Sequence, residues 1–203
     1  MRLFSPALLF TALLAPSLFG QQEIGLTVGV LSGPFRTSTA GDTLNLSQAA
    51  ALQANYGRVI RSYKYADMYG EVHFMASPSQ TVDSTLTSAT KSFSSLFLTP
   101  GVRFKFYTKK RLSPWVNVGG GYAHFLQSTK TIAGAANPAP RHRRTGAVTW
   151  GAGLDYAWSS RITLRGEARY FHTGSAKYNT PVTGTGQVNF VAGGGIVFTF
   201  GGR

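Results

Sequence analysis

The chain has 203 residues, 20 Lys and Arg against 7 Asp and Glu, 24 Gly, no Cys and 13% aromatic residues, for a formal net charge of +13. That length and apolar content suit one domain and exclude a disordered polymer, and the missing Cys excludes disulfide stapling and a lipid-anchored lipoprotein. The basic balance by itself fits a nucleic acid or an anionic lipid surface.

Residues 1–20 stand apart from the rest. Arg2 supplies a positive start, residues 3–14 a short apolar run, and "APSLFG" a small-residue exit before Gln21. This reads as a secretory signal, too short to be a spanning helix. Without it the exported chain keeps 19 basic and 7 acidic residues, +12. Export argues against a nucleic-acid partner and leaves anionic lipid heads as the counter-charge.

From residue 21 onward the pattern is strict alternation, which puts successive side chains on opposite faces of a strand. "EIGLTVGVL" sets Ile24, Leu26, Val28 and Val30 against Gly25, Thr27 and Gly29. Residues 52–63 and 68–76 repeat this more weakly. "SSLFLTPGVRFKF" sets Leu96, Leu98, Val102, Phe104 and Phe106 against Ser95, Phe97, Thr99, Gly101, Arg103 and Lys105. "WVNVGGGYA" and "VTWGAGLDY" follow, then "ITLRGEARYF" with Ile162, Leu164, Gly166, Ala168 and Tyr170 opposite Thr163, Arg165, Glu167, Arg169 and Phe171, and finally "VNFVAGGGIVFTF". These make eight strands. Their connections alternate between long (32–51, 77–92, 127–144, 172–186) and short (64–67, 108–111, 158–161), so long loops share one end and tight turns the other.

An even number of antiparallel strands of about ten residues, with that asymmetry, is the pattern of an all-β, eight-stranded up-and-down transmembrane barrel. In lipid a sheet spans only by closing on itself, because every backbone donor and acceptor must be satisfied internally. The apolar set then faces lipid and the charged set the lumen. This parity places Glu71, Asp155 and Glu167 inside with Arg103, Lys105, Arg165 and Arg169, and His73 beside Glu71. The expectation is a network of paired charges in a polar lumen just wide enough for its own side chains, a plug and not a pore.

On "GAGLDY" (151–156), "ITLRGEARYF" and the closing "GGGIVFTF", the region 21–203 resembles the OmpA-type family of small outer-membrane β-barrel proteins. The resemblance implies a barrel in the bacterial outer membrane, inserted by the barrel assembly machinery, which in this family reads a terminal Phe. Here Phe200 is followed by Gly201, Gly202 and Arg203, so that signal is displaced. No periplasmic peptidoglycan-binding domain follows the barrel, and that family function is not carried over.

The glycines at 119–121 and 193–195 lack the strand-turn-helix context of a phosphate cradle and suit barrel curvature. His73, His124 and His142 show no ligand spacing, so neither a metal nor any cofactor is expected. Tyr56, Trp115, Tyr122, Trp150, Tyr156, Trp158 and Tyr170 suit interfacial girdles. In the third long loop "RHRR", with Arg141, Arg143 and Arg144, joins Arg36, Lys91, Lys130 and Lys177 as groups suited to lipopolysaccharide phosphates. "FHTGSAKYNTP" faintly resembles the lipid A deacylase family, in which a His and a Ser two residues later act as base and nucleophile. Here Gly174 holds the nucleophile position, and His172 and Ser175 are spaced for opposite faces. The chain is therefore expected to be a non-enzymatic barrel, with a barrel hydrolase and a soluble lipocalin-like carrier of inverted polarity as the alternatives.

Overall fold

A computed structural model describes residues 20–107, 111–176, 178–184 and 186–201. Residues 1–19 of the expected signal segment over 1–20, Lys177 of the expected basic set and the two residues after Gly201 lie outside the described residues.

Eight long strands form the ring: β1 (Gln22–Ser32), β4 (Ala49–Ser62), β5 (Ala66–Ser84), β6 (Ser92–Phe106), β7 (Leu112–Gln127), β8 (His142–Ala157), β9 (Ile162–Gly174) and β10 (Gly186–Phe200). Each pairs antiparallel with its neighbour in the ring, and β1 closes on β10 with Gln22 opposite Phe200 and Ser32 opposite Phe190. Closure leaves no free edge, as a lipid-embedded sheet requires. Two short strands, β2 (Arg36–Thr37) and β3 (Thr43–Leu46), form a hairpin inside the first long connection, and β3 pairs with the outer end of β5. The strands extend further outward than the alternation alone marks, so β5 runs to Ser84 within what reads as the second long loop, and β8 begins at His142 within the third.

Parity divides the wall as alternation demands. Ile24, Leu26, Val28, Leu52, Val116, Val118, Val148, Trp150, Leu154, Leu164, Ile196 and Phe198 are exposed on the outside, while Arg103, Asp155, Arg165, Glu167 and Arg169 are buried inside. A soluble lipocalin-like barrel requires the reverse, since exposed apolar area on this scale is stable only against lipid.

The interior is layered, and beside the polar groups expected from parity it holds an apolar cluster. The interlocked charges fill the half toward the short turns. Toward the long loops lies an apolar cluster of Leu31, Met75, Phe93, Phe97, Phe125, Phe171 and Val191, capped by Leu44, Leu46, Val82 and Tyr178 from the outer extensions. Phe97 packs on Phe171 at 4.8 Å and edge-on against Phe125 at 5.8 Å, and Phe93 meets Phe125 and Tyr178 at 5.9 Å. These aromatics of the strand wall share the lumen parity with the charges. Hydrophobic burial holds the outer half together because the folded-over loops exclude both water and lipid there.

Candidate functional site

The charged layer is built from alternate residues of β1, β5, β6, β8 and β9. Glu23, at the start of β1, sits at its hub: its carboxylate meets Arg103 Nη2 at 2.6 Å, Lys105 Nζ at 3.0 Å and Arg165 Nη2 at 3.4 Å, and accepts a hydrogen bond from the Tyr69 hydroxyl at 3.0 Å. An alternation counted from Ile24 leaves Glu23 out of the lumen set. Its odd number, shared with Gly25 and Thr27, is the sequence signal that includes it.

Around that hub the acids and bases interlock. Arg165 grips Asp155 with two parallel bonds, Nε to Oδ1 at 2.7 Å and Nη2 to Oδ2 at 2.9 Å, and Lys105 bridges Asp155 to Glu23. Arg169 donates to Glu71 at 2.8 Å and to Glu167 at 3.1 Å, while Arg103 lies 3.1 Å from the second oxygen of Glu71. Neutral donors complete the coordination: Asn55 on Glu71 at 3.2 Å and Thr27 on Glu167 at 2.7 Å. Among the described residues four carboxylates thus interlock with four cations, while a fifth buried carboxylate, Asp67, accepts from the Tyr107 hydroxyl at the turn end of the layer, and mutual pairing is what makes buried charge tolerable.

Trp115 turns into the lumen, not into a girdle, because its odd number on β7 puts it on the inner face. Its indole Nε1 donates to Asp155 at 3.0 Å, and Arg165, Arg169 and Arg103 lie over its ring at 5.0, 5.1 and 5.7 Å. Gly153 on β8 stands opposite, where an added Cβ would collide with the indole. That glycine is required by close approach.

His73 is buried in the lumen, two residues from Glu71 on the same face of β5, yet neither of its ring nitrogens has a hydrogen-bond partner among the described residues. It stacks on Phe171 at 5.8 Å, at the boundary between the charged and apolar layers. It is a lid on the network and not a hydrogen-bonded member of it.

The basic groups expected in the outer loops separate into different environments. Arg36 is not a free loop cation: it donates to the carbonyls of Gly186 at 2.6 Å and Gly184 at 3.2 Å and to the Ser175 hydroxyl, tying the first long loop to the fourth. The "RHRR" run opens β8 from its second member, His142, instead of lying wholly in a loop. Pairing fixes the alternation, with Arg143 opposite buried Phe125 and turned inward, and His142 and Arg144 turned outward. Lys91, Lys130, Arg141 and Arg144 are exposed.

His172 is exposed at the end of β9, and Ser175, just past that strand, accepts from Arg36 and has its hydroxyl 3.5 Å from the Gly186 carbonyl. The structure does not bring this His and Ser together. Nearby, burial pushes the Tyr178 phenol well above its ordinary range, with the Arg36 charge opposing that shift, and its hydroxyl bonds to Gln187 at 2.5 Å.

The histidines are less scattered than their spacing suggests. His124 Nε2 and His142 Nδ1 lie 3.1 Å apart on the outer face. Sequence separation hides this contact, which arises from the β7–β8 register.

No family model matches the sequence, and no curated protein matches it. Among solved structures, the outer membrane protein OprG from Pseudomonas aeruginosa is 11% identical with a TM-score of 0.60, the match covering 90% of this chain and 97% of that one. Neisserial surface protein A is 12% identical with a TM-score of 0.56, over 89% of this chain and 97% of that one. With its closed ring, apolar exterior and charged lumen, the chain therefore has the fold of the small, eight-stranded OmpA-type outer-membrane β-barrels.

Proposed function

We propose that this protein is an exported, integral outer-membrane barrel without catalytic activity, closed to ions, whose basic outer end contacts lipopolysaccharide. The observation that carries the reading is the polarity of the wall, apolar outside and charge-paired inside. A charge on the lipid side near the midplane costs roughly 2–4 kcal/mol, so this distribution suits a bilayer and no other solvent. The interlocked charges below and the aromatic cluster above support a plug. The engagement of Ser175 by Arg36, with no hydrogen bond between His172 and Ser175 among the described residues, supports a structural end to β9 over a hydrolytic pair. A working nucleophile and base must approach within roughly 2.6–3.2 Å.

Lys91, Lys130, Arg141 and Arg144 supply the cations for the outer contact, because Arg36 is committed to the loops. Fractionation tests the membrane reading: the protein is expected in the outer membrane, and recovery in the soluble periplasm overturns it. Binding of purified barrel to lipopolysaccharide is expected to fall with added salt, since exposed charges are screened over about 8–10 Å at physiological ionic strength. Fatty-acid release from lipid A that disappears in Ser175→Ala would make the barrel an esterase.

A further inference from the structure

We propose that His124, His142 and Arg144 form a phosphate-binding subsite on the lipid-facing outer rim, which takes a phosphoryl group of lipid A while an acyl chain lies against Leu96 and Tyr122. The proposal rests on the reading of the chain as a lipopolysaccharide-contacting barrel and gives that contact a position.

Register assembles the site. On β7 and β8, His124 pairs with Arg144, Leu126 with His142 and Tyr122 with Gly146; on β6, Leu96 pairs with His124. All these positions are even-numbered on strands whose even side chains point outward, so Leu96, His124 and Arg144 form one row across three strands. A groove of about 630 Å³ runs along it, lined by Leu96, Tyr122, His124, Arg144 and Thr145. Its walls are amphipathic in the sense a phosphorylated lipid requires, with a cationic and imidazole upper part and an apolar floor.

The chemistry favours an oxyanion. Two imidazoles with nitrogens 3.1 Å apart share one proton between them, which in the neutral pair leaves one outer nitrogen as an N–H donor and the other as an acceptor. The neighbouring guanidinium adds a fork of donors matched to phosphate oxygens. No carboxylate of the described residues lines the groove. Arg144 beside the rings disfavours a cation, while a phosphate monoester accepts from the guanidinium and from the outer imidazole N–H and, in its monoanionic form, donates its own P–OH to the remaining ring nitrogen. The face is the one that meets lipid, and it lies outward of Tyr122, Trp150 and Tyr170, where headgroups replace acyl chains.

The test uses the full barrel in detergent, with ¹⁵N-labelled histidine and bisphosphorylated lipid A as probe. The His124 and His142 imidazole resonances are expected to shift with that probe and not with dephosphorylated lipid A. The variant H124Q/H142Q/R144Q is expected to lose at least about tenfold in affinity, because charge-assisted bonds to phosphate are the strong ones. R144K, which keeps the charge but loses the fork, is expected to fall between. Unchanged cold mobility on electrophoresis verifies that the variants are closed barrels. If wild type fails to distinguish the two lipids, the lipopolysaccharide reading falls with the subsite. If it distinguishes them and the triple variant binds equally well, only the subsite falls. Loss of the effect in EDTA would make the His pair a metal chelate and also overturn it.

Discussion

Glu23 satisfies three cations and a tyrosine hydroxyl, whereas Glu167 satisfies Arg169 and Thr27. Removing one member of a buried network leaves its partners charged and unpaired, at about 3–5 kcal/mol. Glu23→Gln is therefore expected to lower the stability of the refolded barrel by about that amount, and Glu167→Ala by less than Glu23→Gln. Urea titration in lipid vesicles reads both midpoints, and midpoints equal to wild type would separate the network from stability. The opposite face obeys the opposite rule: Leu164→Arg is expected to hinder insertion, at roughly 2–4 kcal/mol if it sits near the midplane. Normal insertion of that variant would contradict the lipid-facing parity of β9.

At the level of elements, the long loops are part of the fold and not tethers over an open mouth. Phe93 and Tyr178 join strand wall to loop, and Arg36 joins the first loop to the fourth. Phe97, at the centre of the aromatic cluster, has no exposed surface. Its replacement by Ala is expected to cost about 3–5 kcal/mol through lost burial and the cavity left behind. Arg36→Ala acts more locally. The expected outcome is faster proteolysis between residues 175 and 186, with the strand ladders still resistant, because only the tie between two loops is gone. A digestion pattern identical to wild type would show that the loops are held by the apolar cluster alone.

For the whole molecule, closure has two measurable consequences. A ring whose backbone bonds are all internal resists detergent until heated, so boiled and unboiled samples are expected to migrate differently on electrophoresis. A lumen crossed by interlocked ion pairs and then by an aromatic layer is expected to pass no steady ionic current in a planar bilayer. A stable open channel would require the charged layer to part. Outside that layer the described cations gather at the two rims, with Arg61, Lys64, Arg111 and Arg161 toward the short turns and Lys91, Lys130, Arg141 and Arg144 toward the long loops, where headgroups and water screen them.

Alternation alone determined the eight strands, their faces and the end at which the long loops gather, because a period of two is a local property of the chain and lipid allows only one closure of it. Arg103, Lys105, Asp155, Arg165, Glu167 and Arg169 were legible as lumen residues for the same reason, and Glu23 and Trp115 carry the same parity. Parity says which face a side chain occupies, but neither its depth along the barrel nor its partners. Only the tertiary structure decided that Phe97, Phe125 and Phe171 form an apolar layer above the charges, that Arg36 crosses to the fourth loop, and that His124 meets His142. Those contacts depend on register between strands and on where loops fold back, and both are set by packing between residues far apart in sequence.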